Sequence, residues 1–296
     1  MSTFFPPFEP FEPKPEGRGR RRIGRLPIRY LVPNLITLLA LCSGITAIRL
    51  AMEGRYDLAI GAVVFAAVLD GLDGRVARYL KSTSRFGAEL DSLTDFVNFG
   101  VAPAILLYGW TLHEVRSIGW IAALLFAIAA ALRLARFNVM LLAADRPAWQ
   151  GNFFVGVPAP AGAIAVLLPI TVGLINRDLV LPDFAAPLVA LYTVLVGVLM
   201  VSRVPTFSGK KLGGVRRDLV VPLFVVFVLF AGLAVNYPFE VLATLTSIYL
   251  IALPFGWRAW NRLARAHGAR EEEVTLDISS KDDDDDIRPA DDPSKP

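Results

Sequence analysis

Leu58-Ala-Ile-Gly-Ala-Val-Val-Phe-Ala-Ala-Val-Leu69 runs without a polar side chain and then breaks into Asp70-Gly-Leu-Asp73-Gly-Arg-Val-Ala-Arg78. The first part reads as a helix inside an apolar medium, the second as its end, loaded with charge. Working outward, apolar stretches of helical length recur at about 30–48, 57–80, 92–111, 117–139, 158–176, 184–202, 218–236 and 239–257, the last two joined by a tight turn around Tyr237-Pro238. Over 296 residues the hydrophobic content is 54%, the charged share 19% and the mean hydropathy +0.52. Such a chain is too apolar for an ordinary soluble domain. The expected fold is all-α, a polytopic membrane helical bundle of about eight transmembrane helices, because only helices or closed barrels satisfy a backbone in lipid. With the N-terminus inside, 26 of the 30 Lys and Arg fall in internal segments, leaving Arg49, Arg55, Arg116 and Arg177 outside. This asymmetry predicts an N-in, C-in topology. Six spans would give the same orientation.

Three regions follow. Residues 1–29 form a Pro-rich segment, expected to be disordered, that leads into Arg18, Arg20, Arg21, Arg22, Arg25 and Arg29, a cluster suited to anionic headgroups. It shows neither the apolar core nor the cleavage site of a signal peptide. Residues 30–257 form the transmembrane domain. Residues 258–296 form a cytoplasmic, largely disordered tail; from Glu271 onward eleven acidic residues meet three basic ones. The net charge of +3 therefore divides into −8 on that tail and +11 on the remainder. Integral membrane protein of the cytoplasmic (inner) membrane, with membrane lipids as neighbours and no nucleic-acid partner, is the expected setting. One cysteine, Cys42, and two histidines, His113 and His267, exclude a disulfide framework and argue strongly against a Cys/His zinc centre. Metal chemistry here has to run on carboxylates.

The carboxylates are oddly placed for a membrane protein. Asp70 and Asp73 lie three residues apart at the end of the second span, and Asp91 and Asp95 lie four apart entering the third. Each pair shares a helix face. A short connection makes the two helices antiparallel neighbours, so the pairs can face each other near the cytoplasmic boundary. Four carboxylates there repel and are costly to desolvate. Divalent cations relieve both problems; hard oxygen donors suit Mg²⁺ or Mn²⁺, and four aspartates can hold two ions. Gly74, Gly87 and Ala77 keep the adjoining surface bare for close approach. Arg78, one turn past Gly74, can reach phosphate oxygens. Metal on carboxylates beside an arginine and a bare helix face is what phosphoryl or phosphatidyl transfer requires. The competing reading, helix caps and salt-bridge partners for Arg75, Arg78 and Arg85, leaves four paired aspartates across two spans unexplained.

Asp70-x2-Asp73-Gly74-x2-Ala77-Arg78-x8-Gly87-x3-Asp91-x3-Asp95 resembles the complete signature of the CDP-alcohol phosphotransferases, with eight fixed positions over 26 residues. The resemblance implies a six-helix core, here with two further helices, and a homodimer. It implies that Asp70, Asp73, Asp91 and Asp95 surround the divalent-metal site, with Asp95 as general base. It implies that Gly74, Ala77 and Arg78 line the CDP pocket. Pro33-Asn34-Leu-Ile-Thr37 is similar to the family's entry motif, which makes Asn34 and Thr37 candidate nucleotide contacts; a polar cap at the membrane interface is the alternative for both.

The context of the signature addresses the acceptor alcohol. Phe86 to Ala104, Leu132-Arg133-Leu-Ala-Arg136-Phe-Asn138, Phe154 to Ala163 and Leu199 to Pro205 are similar to the membrane-embedded phosphatidylserine synthases. That similarity implies transfer of the phosphatidyl group of CDP-diacylglycerol to L-serine, releasing CMP. Serine is a zwitterion, and Arg133 or Arg136, with Asn138 nearby, is the expected partner for its carboxylate; snorkelling to lipid phosphates is the competing reading for either arginine. Lys210, Lys211, Arg216 and Arg217 are assigned to the positive-inside bias. One rival keeps the chemistry and changes the acceptor to glycerol 3-phosphate or an inositol phosphate. A rival of another class is a divalent-cation transporter, which the clustering of carboxylates at one membrane face, away from the midplane, disfavours.

Overall fold

The computed structural model describes residues 28–82, 84–142, 153–176, 184–202, 205–207 and 220–255. The N-terminal segment with most of its arginines, the 210–217 basic loop, Arg177, Arg203 and the acidic tail lie outside the described residues.

Helices account for nearly all of the described chain. In order they are α1 (Ile28–Met52), α2 (Tyr56–Tyr79), α3 (Arg85–Phe96), a π-helical turn (Val97–Val101), α4 (Ala102–Trp110), a 3₁₀ turn (Leu112–Val115), α5 (Arg116–Leu142), α6 (Ala159–Val166), α7 (Leu168–Ile175), α8 (Ala185–Val201) and α9 (Val220–Asn236). A last helix, α10 (Pro238–Phe255), follows the bend at Tyr237. Among the described residues, four stretches are long and apolar enough to cross a membrane: Leu31–Met52, Arg85–Trp110, Leu112–Met140 and Pro238–Phe255. Ala185–Val201 and Val221–Asn236 are shorter apolar helices. The chain is thus a helical membrane protein. One small departure from an all-helical chain is an antiparallel ribbon, Phe153–Val155 (β1) with Pro205–Phe207 (β2). It forms where helices cannot: Gly156 takes φ +81 and Pro158 caps α6, while Ser202 ends α8 in an extended conformation.

Two of the expected spans are internally broken, and proline explains both. Pro103 lacks an amide hydrogen and its ring would crowd the carbonyl four residues back. The chain adds one residue to the turn there, so that the Ala102 amide bonds to the Val97 carbonyl, five back. Pro169 ends α6 and starts α7, with Leu167 between them. The third span also begins earlier than its apolar run, at Arg85. Ser84 is its N-cap, in an extended conformation, and its Oγ accepts the Gly87 amide at 3.0 Å.

Small residues set the packing. Ala40, Ala47 and Ala51 of α1 are buried, as are Ala59, Val63 and Ala66 of α2, and the two helices run in close contact with Ser43 Oγ donating to the Ala62 carbonyl at 2.8 Å. α5 packs along α8, and Phe99, Leu106, Leu107, Phe126, Ile170 and Met200 fill the space between the layers. α3 packs chiefly on α1 and α5, so α1 serves as the common wall for the two aspartate-bearing helices. The helices' outward faces carry large apolar side chains such as Leu35, Phe65, Ile121 and Leu191, as a lipid-facing surface requires. α9 is apolar and exposed along nearly all of its length, with only Ala231 and Ala234 partly covered between Val221 and Val235.

Candidate active site

The start of α1, the end of α2, the start of α3 and the end of α5 meet at one end of the bundle, and every candidate residue of the sequence lies there. Asp70 on α2 and Asp91 and Asp95 on α3 each place a carboxylate oxygen within 4.8 Å of the other two. Asp70 and Asp95 are close enough to hydrogen-bond to each other. Two carboxylates at that separation need a shared proton or a cation between them. Asp95 Oδ1 is buried without any hydrogen-bond partner. The donor set is oxygen only, with no histidine or cysteine, and the orphaned oxygen points to a missing positive partner. These residues fit a hard divalent cation.

Asp73 is held differently. Its Oδ2 accepts the Thr37 hydroxyl at 2.6 Å, and both side chains are buried. The carboxylate stays within electrostatic reach of Asp70 and Asp91. The four aspartates therefore divide into a converging group of three and a neighbour clamped from α1. Thr37, read from sequence as a ligand contact or an interface cap, is oriented toward Asp73, although it also lines the cleft.

That cleft opens beside the aspartates and holds roughly 550 Å³ of free space, its open mouth included. Asn34, Thr37, Asp73, Gly74, Ala77, Arg78, Gly87 and Asp91 line it together with Pro33, Ser82, Ser84 and Ala88. All five residues expected at a CDP pocket are thus brought to one cavity. A Cβ on Gly74 would meet only Arg78 Nη1, at 3.7 Å, so this glycine leaves room for a ligand rather than for another helix. A Cβ on Gly87 would come within 2.9 Å of Asn34 Oδ1, so this one permits α1 and α3 to touch.

The three residues expected around an acceptor separate. The Arg133 guanidinium faces Asp95 and Asp70 and lies 5.4 Å from the Phe137 ring centre. Arg136 Nη1 donates to the Val201 carbonyl at 2.6 Å, at the C-terminal end of α8. Asn138 Nδ2 donates to Ser92 Oγ at 2.9 Å, joining α5 to α3.

Three features of this end of the molecule escape sequence reasoning. Ser82, in the α2–α3 link, is buried in the cleft wall with an unpartnered hydroxyl. Ser84 is legible in hindsight as an N-cap, serine followed by a helix-forming run. Tyr249 comes from α10 and stands within electrostatic reach of Arg133; a lone tyrosine in an apolar run carries no signal of this.

Residues 30–201 match the family model described as CDP-alcohol phosphatidyltransferase, and residues 218–254 match a second, CDP-alcohol phosphatidyltransferase 2. The chain is 40% identical over 246 residues to the CDP-diacylglycerol–serine O-phosphatidyltransferase of Mycobacterium leprae, covering 80% of this chain and 77% of the relative. It is 36% identical over 253 residues to the protein of that name in Mycobacterium tuberculosis, covering 84% of each. The Helicobacter pylori protein of that name is 38% identical over 222 residues, covering 75% of this chain and 89% of the relative.

Proposed function

The chain belongs to the CDP-alcohol phosphatidyltransferase family, and from that premise we propose that it transfers the phosphatidyl group of CDP-diacylglycerol to the hydroxyl of L-serine. The observation that carries the reading is the convergence of Asp70, Asp91 and Asp95 at the head of a cleft walled by Asn34, Thr37, Gly74, Ala77 and Arg78. The names of the relatives support serine as the acceptor.

The diphosphate of the donor lies in the cleft, its acyl chains in lipid, with Arg78 at the phosphates and the bare surface of Gly74 and Ala77 against the nucleotide. Asp70, Asp73, Asp91 and Asp95 would hold Mg²⁺ or Mn²⁺, two ions in the full arrangement. A divalent cation bound there supplies charge neutralisation for the diphosphate and the departing phosphate. Asp95, with its unpartnered Oδ1, accepts the proton of the serine hydroxyl. The hydroxyl oxygen attacks the phosphorus that bears diacylglycerol, the bond to the bridging oxygen breaks, and CMP leaves with the electron pair. Thr37 keeps Asp73 aimed at the cleft. Arg133 is the arginine that faces the catalytic aspartate, and it receives the serine carboxylate; the Arg136 guanidinium is engaged with the end of α8 and Asn138 with Ser92.

The charge distribution supports an even number of spans with both termini inside, and on that reading this end of the bundle lies at the cytoplasmic face of the inner membrane. A homodimer is carried over from the family resemblance. An acceptor panel tests the reading: purified protein with CDP-diacylglycerol and Mn²⁺ or Mg²⁺ is given serine, glycerol 3-phosphate or an inositol phosphate, and CMP release is measured. Release with serine alone is expected; release with either phosphorylated alcohol and none with serine overturns serine as acceptor.

A further inference from the structure

α10 belongs to the last pair of helices, which falls almost entirely within the match to the second family model, and it is docked on the core through Leu253 and the half-buried Leu242 and Leu250. Its one aromatic hydroxyl in that interior is Tyr249, whose Oη is buried with no hydrogen-bond partner. A buried hydroxyl without a partner is destabilising unless something else satisfies it. Arg133 lies within electrostatic reach of Tyr249, and of Asp95 and Asp70 as well.

The chemistry of the pair narrows what would fill the gap. A guanidinium has only donors, and a phenol, whose oxygen can also accept, has one O–H to place. Phe137 covers the Arg133 guanidinium, leaving its N–H edges for a planar partner. The neighbouring polar side chains are already engaged, Arg136 with Val201 and Asn138 with Ser92. Asp95 and Asp70 share the Arg133 charge, while the Tyr249 proton is unplaced, so an anionic oxygen beside both gains a cation and a donor. A carboxylate on the acceptor satisfies both, and its hydroxyl end then falls toward Asp95, which Arg133 also faces.

We propose that Tyr249 completes the acceptor site, donating its hydroxyl to the carboxylate of the incoming amino acid beside Arg133. This assignment rests on the reading of serine as acceptor given above. It gives the last helix pair a role in substrate selection, because α10 supplies the donor that separates a carboxylate-bearing alcohol from a neutral one.

The test is steady-state kinetics of the full chain and its Tyr249→Phe variant with L-serine and with L-serinamide, which keeps the hydroxyl and ammonium but lacks the carboxylate. Loss of one hydrogen bond to a charged group is expected to raise KM for serine about tenfold or more, with a much smaller change in kcat. On serinamide the substitution is expected to cost nothing further. Tyr249→His, which keeps a donor at the position, is expected to recover part of the serine KM. Binding of CDP by each variant verifies the fold independently of the acceptor. An unchanged KM for serine, or an equal penalty on serine and serinamide, overturns the proposal. Wild-type protein that releases CMP with glycerol 3-phosphate and not with serine would instead overturn the acceptor reading beneath it.

Discussion

Thr37→Val is a nearly isosteric change at the contact that clamps Asp73. The hydroxyl and the carboxylate oxygen are 2.6 Å apart, and the residues are 4% and 5% exposed, so water does not replace the lost donor easily. A hydrogen bond to a charged acceptor is worth about 1.5–3 kcal/mol. At about 1.4 kcal/mol per factor of ten, that is roughly a ten- to hundredfold effect. Asp73 keeps a second donor, the Gly74 amide, so the side chain stays in place but loses its fixed aim. We therefore expect kcat/KM for CDP-diacylglycerol to fall by that factor, and CDP to bind correspondingly less tightly in titration calorimetry. Thr37→Ser, which restores the hydroxyl, is expected to recover most of the loss. The reasoning is refuted if the valine variant stays within about twofold of wild type while Asp73→Asn remains inactive, because Asp73 would then need no help from α1.

Other substitutions separate the parts of the account. Ser82→Ala removes the buried, unpartnered hydroxyl in the cleft wall; KM for CDP-diacylglycerol is expected to rise about threefold to tenfold, with the larger effect on the donor and not on serine, as kinetics with each substrate varied in turn will read. Gly44→Ala would bring a Cβ within 2.8 Å of Asn98 Cγ and 3.3 Å of its Cα, in the π-helical turn that follows Asp95. Overpacking of this kind costs about 1–3 kcal/mol, so a lower melting temperature in detergent is expected along with reduced activity. Arg136→Ala loses the 2.6 Å bond to Val201 and should act mainly on thermal stability, whereas Arg133→Ala should act mainly on KM for serine; the opposite pattern would exchange their roles.

The aspartate array was legible because its spacing survives any bundle geometry: residues three or four apart on a helix share a face. The cleft was legible in part of its lining, Asn34, Thr37, Gly74, Ala77 and Arg78, which share one cavity. How those side chains are used was not. Whether Thr37 turns to a ligand or to Asp73 depends on the distance between α1 and α2, which small residues such as Ala40 and Ala66 set and no local pattern reports. The early start of α3 was hidden because Arg85 to Asp91 is polar, and hydropathy sees only the apolar remainder; the Ser84 cap carries the boundary instead. The turn at Val97 and the break at Leu167 follow from Pro103 and Pro169, single residues that the mean hydropathy of an otherwise apolar run does not single out. Tyr249 was illegible for a different reason. It comes within electrostatic reach of Arg133 across more than a hundred residues of chain, a tertiary coincidence without a periodic trace.

The most direct test of the central claim follows labelled serine into chloroform-soluble lipid, with purified protein, CDP-diacylglycerol and Mn²⁺ or Mg²⁺, and with Asp95→Asn in parallel. Incorporation that accompanies CMP release, stops on chelation of the cation and is lost by a factor of about a hundred or more in the variant is the predicted result. Incorporation that persists undiminished in Asp95→Asn, or in the presence of chelator, would contradict the account of these aspartates as the catalytic centre.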